Sequence, residues 1–120
     1  MTAKVLVVDD EPSLTETMAV ILETSGFEPV TATTVSEAIA RLHEQHFDAL
    51  LVDLSMPGDG HAVIAAMRAT TPQSLIVVIS GHVAADQIPA PVRAQADEVL
   101  SKPTEIPRLL ALLRARLSQG

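Results

Sequence analysis

Polar side chains that could bind a metal ion or a phosphoryl group stand at the ends of short apolar runs in this 120-residue sequence. Three are carboxylates, one is a hydroxyl and one is an ammonium group: Asp9, Asp10, Asp53, Ser80 and Lys102. Carboxylates held a few ångströms apart repel one another unless a cation neutralises them, and Mg²⁺ is a hard ion that prefers oxygen ligands. A carboxylate beside Mg²⁺ and a lysine could attack phosphorus and form an aspartyl phosphate, with the hydroxyl donating to a phosphoryl oxygen.

These residues can meet only if the apolar runs are strands of one sheet. The runs alternate with stretches of helical periodicity and predict five strands, near residues 4–8, 27–32, 47–53, 75–79 and 99–100. Continuous apolar strands that alternate with helices are typical of a parallel sheet covered on both faces. Right-handed crossovers make such a sheet doubly wound, with ligands bound beyond the carboxyl ends of its strands. We therefore expect one α/β domain over residues 1–120, a five-stranded parallel sheet with five helices of the flavodoxin-like (βα)5 type.

Several local signals refine these elements. Residues 13–16 and 34–37 have the capping-box pattern, Ser or Thr followed three residues later by Glu, and predict two helix starts. Pro29 places the second strand near an edge of the sheet, because proline has no amide hydrogen to donate. Pro89 and Pro91 interrupt the stretch before the fifth strand, so we expect the fourth helix to be short, kinked or late-starting.

Composition excludes several classes of function. Eight Lys and Arg against fifteen Asp and Glu give a formal net charge of −7, so we expect no direct binding to nucleic acid or to anionic lipid. The absence of cysteine excludes a disulfide framework, a thiol nucleophile and a thiolate zinc site. The apolar runs are too short to span a membrane and the first residues do not form a signal-peptide pattern, so we expect a cytoplasmic protein. Neither GxGxxG nor GxxxxGK[ST] occurs, which argues against a nucleotide-binding domain.

Four short motifs occur in order along the chain and together resemble response-regulator receiver domains, the phospho-acceptor domains of two-component signalling. They occupy residues 7–12, 52–58, 78–81 and 100–103 and read VVDDEP, VDLSMPG, VISG and LSKP. Each motif alone is weak, but the four at suitable intervals are specific. The resemblance covers essentially the whole chain.

The resemblance implies a Mg²⁺ site built around the phospho-acceptor. Asp53 would accept the phosphoryl group and also bind the metal. Asp10 would be a direct ligand, and Asp9 would hold the metal through water. The backbone carbonyl of Ser55 would be a further ligand.

The resemblance also implies how the phosphoryl group is sensed. Ser80 would be the switch hydroxyl, and Lys102 would pair with the phosphoryl group next to a cis bond to Pro103. Receiver domains usually carry Tyr or Phe three residues before this lysine, where it moves inward with the hydroxyl. This chain has Val99 there. Either the coupling runs without an aromatic side chain, or the output surface is read differently.

The sequence leaves three functions to be compared. The first is a phospho-acceptor module that takes a phosphoryl group from a histidine kinase or phosphotransfer protein and changes its affinity for an effector protein or an attached output domain. Such a module has phosphoryl-transfer and self-dephosphorylation chemistry but is not an enzyme. The alternative is a degenerate receiver that docks partners without phosphorylation, which Val99 leaves open. A phosphohydrolase with an aspartate nucleophile is disfavoured because its second, proton-donating Asp would stand at Ser55.

Overall fold

Strands and helices alternate along the chain in a computed structural model that describes residues 2–81, 90–101 and 106–117. The strands are β1 Lys4–Val8, β2 Glu28–Ala32, β3 Ala49–Asp53, β4 Leu75–Ser80 and β5 Glu98–Ser101. The helices are α1 Pro12–Thr24, α2 Val35–Glu44, α3 Gly60–Thr70, α4 Ala90–Gln95 and α5 Ile106–Arg116. All strands are parallel, in the order β2-β1-β3-β4-β5. The predicted doubly wound five-stranded sheet is confirmed.

The two faces of the sheet form two separate cores, because successive side chains of a strand point to opposite faces. The face covered by α2, α3 and α4 contains Leu6, Val8, Leu50, Val52, Ile76 and Val78 from the strands, with Leu42, Ile64, Met67 and Val92 from the helices. The face covered by α1 and α5 contains Val5, Val7, Leu51, Val77 and Ile79, with Leu22, Leu109 and Leu113. Every residue of β3 and β4 is buried, which explains why these strands are apolar without alternation.

The two predicted capping boxes have different outcomes. At α2, the hydroxyl of Thr34 accepts a hydrogen bond from the Glu37 amide at 3.0 Å, and the Glu37 carboxylate accepts one from the Thr33 amide at 2.7 Å. The predicted start of this helix is confirmed, with the return bond one residue earlier than in the standard box. The box at residues 13–16 was wrong, because α1 begins at Pro12 and its N-cap residue, Glu11, makes no side-chain capping bond. Proline suits the first helical position, since the amide it lacks would have no partner there.

Proline also marks β2 and α4. β2 is an edge strand, as Pro29 predicts. Pro91 lies in the first turn of α4, where proline is tolerated. Pro89 lies outside the described residues, so the predicted interruption of the fourth helix remains a prediction.

Among the described residues, no helix is both long enough and apolar enough to cross a membrane. The cytoplasmic location stays a prediction.

An ion pair joins several elements at the end of the sheet where the parallel strands begin. Asp53 lies at the opposite end, where the strands finish. Arg68 of α3 donates to Oδ2 of Asp97 at 2.7 Å, and the Ile76 amide donates to the same oxygen at 2.8 Å. Arg116 of α5 lies 3.4 Å from the other oxygen of Asp97. Burial alone raises the pKa of Asp97, but the hydrogen bonds from Ile76 and Arg68 and the charges of both arginines outweigh it. The pKa of Asp97 therefore lies below its usual value of 3.8.

The lowered pKa of Asp97 makes its contribution to stability depend on pH. The contribution is fully present above the unfolded value of 3.8 and is lost as the pH falls through the lower, folded value. At neutral pH we expect Asp97→Asn to lower the free energy of unfolding by about 1–3 kcal/mol, because a hydrogen-bonded charge is removed. The difference from wild type should shrink as the pH falls below 3.8. Urea unfolding over a pH series measures both quantities, and a difference that stays constant on acidification contradicts the assignment.

Candidate functional site

The carboxyl ends of β1 and β3 bring three carboxylates together. The two strands are neighbours with Val8 opposite Val52, so the residues that follow, Asp9 and Asp53, lie at the same edge of the sheet. One carboxylate oxygen from each of Asp9, Asp10 and Asp53 lies within 4.8 Å of the others. The structure therefore brings together the three acids that the sequence analysis singled out.

The donor set of this cluster fits a hard divalent cation. Asp53 is 2% exposed and Asp9 is 9% exposed, whereas Asp10 is open to solvent. Like charges at this separation repel, and burial reduces the screening by water. A cation with oxygen ligands relieves the repulsion, and carboxylates are the ligands that Mg²⁺ takes in proteins.

The main chain orients both buried carboxylates. Oδ1 of Asp53 accepts a hydrogen bond from the Ser55 amide at 2.9 Å and a second from the Ser55 hydroxyl. Oδ1 of Asp9 accepts a hydrogen bond from the Glu11 amide at 3.1 Å. In each case an aspartate bonds to the residue two positions further on, which is the pattern of an Asx turn. The acid cluster is therefore oriented by the fold itself.

The hydrogen bond from the Ser55 hydroxyl to Asp53 was not predicted from the sequence, where only the backbone carbonyl of Ser55 was expected to take part in the site. A serine two residues after an aspartate at a strand end is a recognisable signal. Its amide and its hydroxyl can both reach the same carboxylate.

The end of β4 lies beside the acid cluster. Asp53 is opposite Ile79 in the sheet register, so Ser80 follows at the same edge, and Ser80 is buried. Ser80 is in turn opposite Ser101, the last residue of β5. Lys102 follows Ser101 in the sequence but lies outside the described residues, as does Pro103. The structure thus brings Ser80 to the predicted edge, while the position of Lys102 and the cis bond remain predictions.

A cavity of about 680 Å³ opens onto the acids and extends between α1 and α5. Its polar end is lined by the three aspartates and Ser55. Its apolar end is lined by Leu14 and Met18 of α1 and Ile106 of α5, and Leu14 is 42% exposed. The acid cluster is accessible to a small molecule through this cavity.

The loop between Asp53 and α3 passes close to α2. Gly58 has φ +102°, and a Cβ atom added there would lie 2.9 Å from Cγ2 of Val35. Both the backbone conformation and the close approach require glycine. Asp59 then caps α3, accepting a hydrogen bond from the His61 amide at 3.0 Å. The loop that carries Ser55 is therefore fixed at both ends.

Sequence comparison finds relatives over nearly the whole chain. A family model for the response regulator receiver domain matches residues 5–114. A response regulator receiver protein of Anaeromyxobacter sp. is 39% identical over 108 residues, which cover 89% of this chain and 45% of that protein. The transcriptional regulatory protein PrrA of Mycobacterium tuberculosis is 36% identical over 115 residues, which cover 95% of this chain and 49% of PrrA. The chain spans about half the length of these relatives.

Solved structures have the same fold. The receiver domain of NtrC4 from Aquifex aeolicus is 36% identical, with a TM-score of 0.81, and the match covers 98% of this chain and 97% of that one. A CheY-like response regulator receiver domain protein from Methanospirillum hungatei has a TM-score of 0.88 over 99% of this chain and 96% of that one. At 23% identity, the second likeness is one of fold alone. The predicted flavodoxin-like architecture is confirmed.

Repulsion among Asp9, Asp10 and Asp53 should lower the free energy of unfolding when no cation is bound. Asp53→Asn removes one buried charge but keeps Oδ1 as the acceptor for both hydrogen bonds from Ser55. We expect this variant to raise the free energy of unfolding in a chelating buffer by about 1–2 kcal/mol. Asp59→Asn is the matched control, because asparagine caps a helix as well as aspartate does, and it should change stability by less than about 0.5 kcal/mol. Denaturant unfolding measures both variants, and a destabilised Asp53→Asn would show that the cluster is not under repulsion.

Proposed function

The chain belongs to the response regulator receiver family, and from this premise we propose that it is a phospho-acceptor domain of two-component signal transduction, spanning residues 1–120. Receiver domains are signalling modules, and the product of their chemistry is an altered surface. In this proposal Asp53 accepts a phosphoryl group from a histidine kinase or phosphotransfer protein. The observation that carries the proposal is the meeting of Asp53 with Asp9 and Asp10 within 4.8 Å.

The proposed metal site uses the same acids. Asp10 and Asp53 would bind Mg²⁺ directly, Asp9 would bind it through water, and the backbone carbonyl of Ser55 would be a further ligand. The ion would neutralise charge on the transferring phosphoryl group. The oxygen-only donor set supports this assignment, as do the hydrogen bonds that orient Asp9 and Asp53.

The proposed transfer is a displacement at phosphorus. A carboxylate oxygen of Asp53 forms a bond to phosphorus while the nitrogen–phosphorus bond of a phosphohistidine breaks. The electron pair of the broken bond leaves with the imidazole of the donor. Because Ser55 holds the Asp53 carboxylate through two hydrogen bonds, little rotational freedom is lost on reaching the reactive geometry.

The proposed response begins at Ser80 and Lys102. The Ser80 hydroxyl would donate to a phosphoryl oxygen, and the Lys102 ammonium would pair with the phosphoryl charge. Val99 is partly buried and packs against the core that also contains Val92 of α4. The response would therefore pass through close packing of aliphatic side chains without rotation of an aromatic ring. A coupling of about 1–3 kcal/mol between phosphorylation and effector binding is sufficient for a switch.

The same Val99 leaves open a second candidate, a receiver that docks its partners without phosphorylation, although the complete set of acids, hydroxyl and lysine argues against it. In that case the acid cluster would be intact but the output surface would not respond to it. The two candidates share the fold and differ in whether the surface around α4 changes when Asp53 is modified.

Phosphorylation of Asp53 can be tested directly. We expect incubation with acetyl phosphate and Mg²⁺ to add one phosphoryl group that hydroxylamine removes, as intact-mass spectrometry detects. Asp53→Asn should abolish the modification because an amide is not a nucleophile for phosphorus, and Asp59→Asn should retain it. Lys102→Ala should slow the reaction while the fold is kept. Unchanged incorporation in Asp53→Asn refutes the acceptor assignment.

Metal binding can be tested without phosphorylation. A ligand at ten times its dissociation constant stabilises the folded state by about 1.4 kcal/mol, so Mg²⁺ should raise the midpoint of thermal unfolding. Asp10→Asn should lose most of this rise, because the exposed acid of the cluster is neutralised. The control Asp59→Asn should respond as the wild type does. An equal rise in Asp10→Asn removes this residue from the metal site.

A further inference from the structure

A second ionic centre lies at the amino-terminal edge of the sheet, away from the acid cluster. Arg68 donates five hydrogen bonds, as many as its guanidinium has N–H groups. Two go to the Gln95 carbonyl at 3.0 and 2.7 Å, and one goes to the Asp97 carboxylate at 2.7 Å. The remaining two go to the carbonyls of Pro72 and Ser74 at 2.9 and 2.7 Å. We call this arrangement of Arg68 with Gln95, Asp97, Pro72 and Ser74 the Arg68 clamp.

The acceptors of the Arg68 clamp belong to separate parts of the chain. Pro72 and Ser74 connect α3 to β4, Gln95 is the last residue of α4, and Asp97 connects α4 to β5. Asp97 also exchanges two hydrogen bonds of 2.8 Å with the Ile76 main chain, one through its amide and one through its carboxylate. The clamp therefore fixes the carboxyl-terminal end of α4 to α3 and to the start of β4.

Low exposure distinguishes this ion pair from the others of the described residues. The side chains of Arg68 and Asp97 are 23% and 21% exposed. Every other ion pair within the described ranges has at least one side chain that is more than 40% exposed. Charged hydrogen bonds are stronger where water is excluded, so the clamp resists displacement better than the surface pairs do.

The Arg68 clamp and Ser80, the proposed switch residue, lie at opposite ends of β4. β4 begins at Leu75, and its second residue, Ile76, is hydrogen-bonded to Asp97. The strand ends at Ser80, beside the acid cluster. The chain leaves Ser80 and reaches α4, whose last carbonyl returns to Arg68. Val92, in the middle of α4, is buried in the same core as Met67 of α3. The carboxyl-terminal end of α4 is thus connected through Arg68 and Asp97 to the start of β4.

We propose that the Arg68 clamp is the fixed point against which α4 responds to phosphorylation. A displacement at Ser80 can reorient α4 only if the far end of the helix is held. With the clamp broken, the displacement is absorbed at the α4–β5 connection and does not reach the buried face of α4. This proposal rests on the proposed function, since modification of Asp53 supplies the displacement.

Beryllofluoride with Mg²⁺, a mimic of the phosphoryl group, provides the test by NMR. In the wild type we expect chemical-shift changes at the Ser80 and Gly81 amides and at the Val92 methyl groups. In Arg68→Lys the charge is kept, but a single ammonium cannot reach all of the acceptors. The changes at Ser80 and Gly81 should keep their wild-type size, while the change at Val92 falls at least about two-fold.

Two further variants make the test independent of one substitution. Asp97→Asn keeps an acceptor for the Ile76 amide but loses the charge that Arg68 pairs with, and it should also reduce the Val92 response. Arg41→Lys alters exposed ion pairs on α2 and should leave every response unchanged.

The outcomes separate the two proposals. A wild-type response at Val92 in both Arg68→Lys and Asp97→Asn overturns the clamp while leaving the proposed function in place. Loss of the Ser80 and Gly81 changes in these variants also overturns it, because the clamp must act after the site is occupied. A wild-type protein with no change at Ser80 or Gly81 overturns the proposed function, and this inference with it.

Discussion

Electrostatic repulsion among Asp9, Asp10 and Asp53 is the constraint on which the rest of the site depends. Parallel pairing of β1 and β3 forces their carboxyl ends to the same edge, so the fold itself brings these charges together. Two of the acids are also withdrawn from water, which strengthens the repulsion. A site that concentrates negative charge in this way could hold a cation.

The fold meets this constraint with main-chain hydrogen bonds. The amides of Glu11 and Ser55 donate to the two buried carboxylates, and the loop after β3 is held by Gly58 against α2. The side-chain entropy that Asp9 and Asp53 lose when they are oriented is therefore lost on folding.

Much of the fold could be predicted because its signals are local in sequence. Uninterrupted apolar runs specify strands that are buried on both faces, and a capping box fixes the start of α2. The predicted start of α1 was wrong because the capping-box pattern begins at Ser13, whereas the helix begins at Pro12. The proline ring fixes φ near the helical value, so proline is favoured at the first helical position. The Arg68–Asp97 pair could not be predicted, since its residues are 29 positions apart and no periodicity connects them. For the site, the strand ends predicted which acids meet. The hydrogen bond from the Ser55 hydroxyl to Asp53 was missed, although a serine two residues after an aspartate at a strand end indicates it.

The edge strand β2 has a consequence for how molecules of this protein can associate. The Glu28 amide points inward and donates to Ala3 across the pairing with β1, so the following position, Pro29, faces outward along the open side of the sheet. An outward proline offers no hydrogen for an incoming backbone. At this position of β2 the edge therefore cannot form the regular hydrogen bonds with an extra strand from a neighbouring or unfolding chain, the route by which open sheets aggregate.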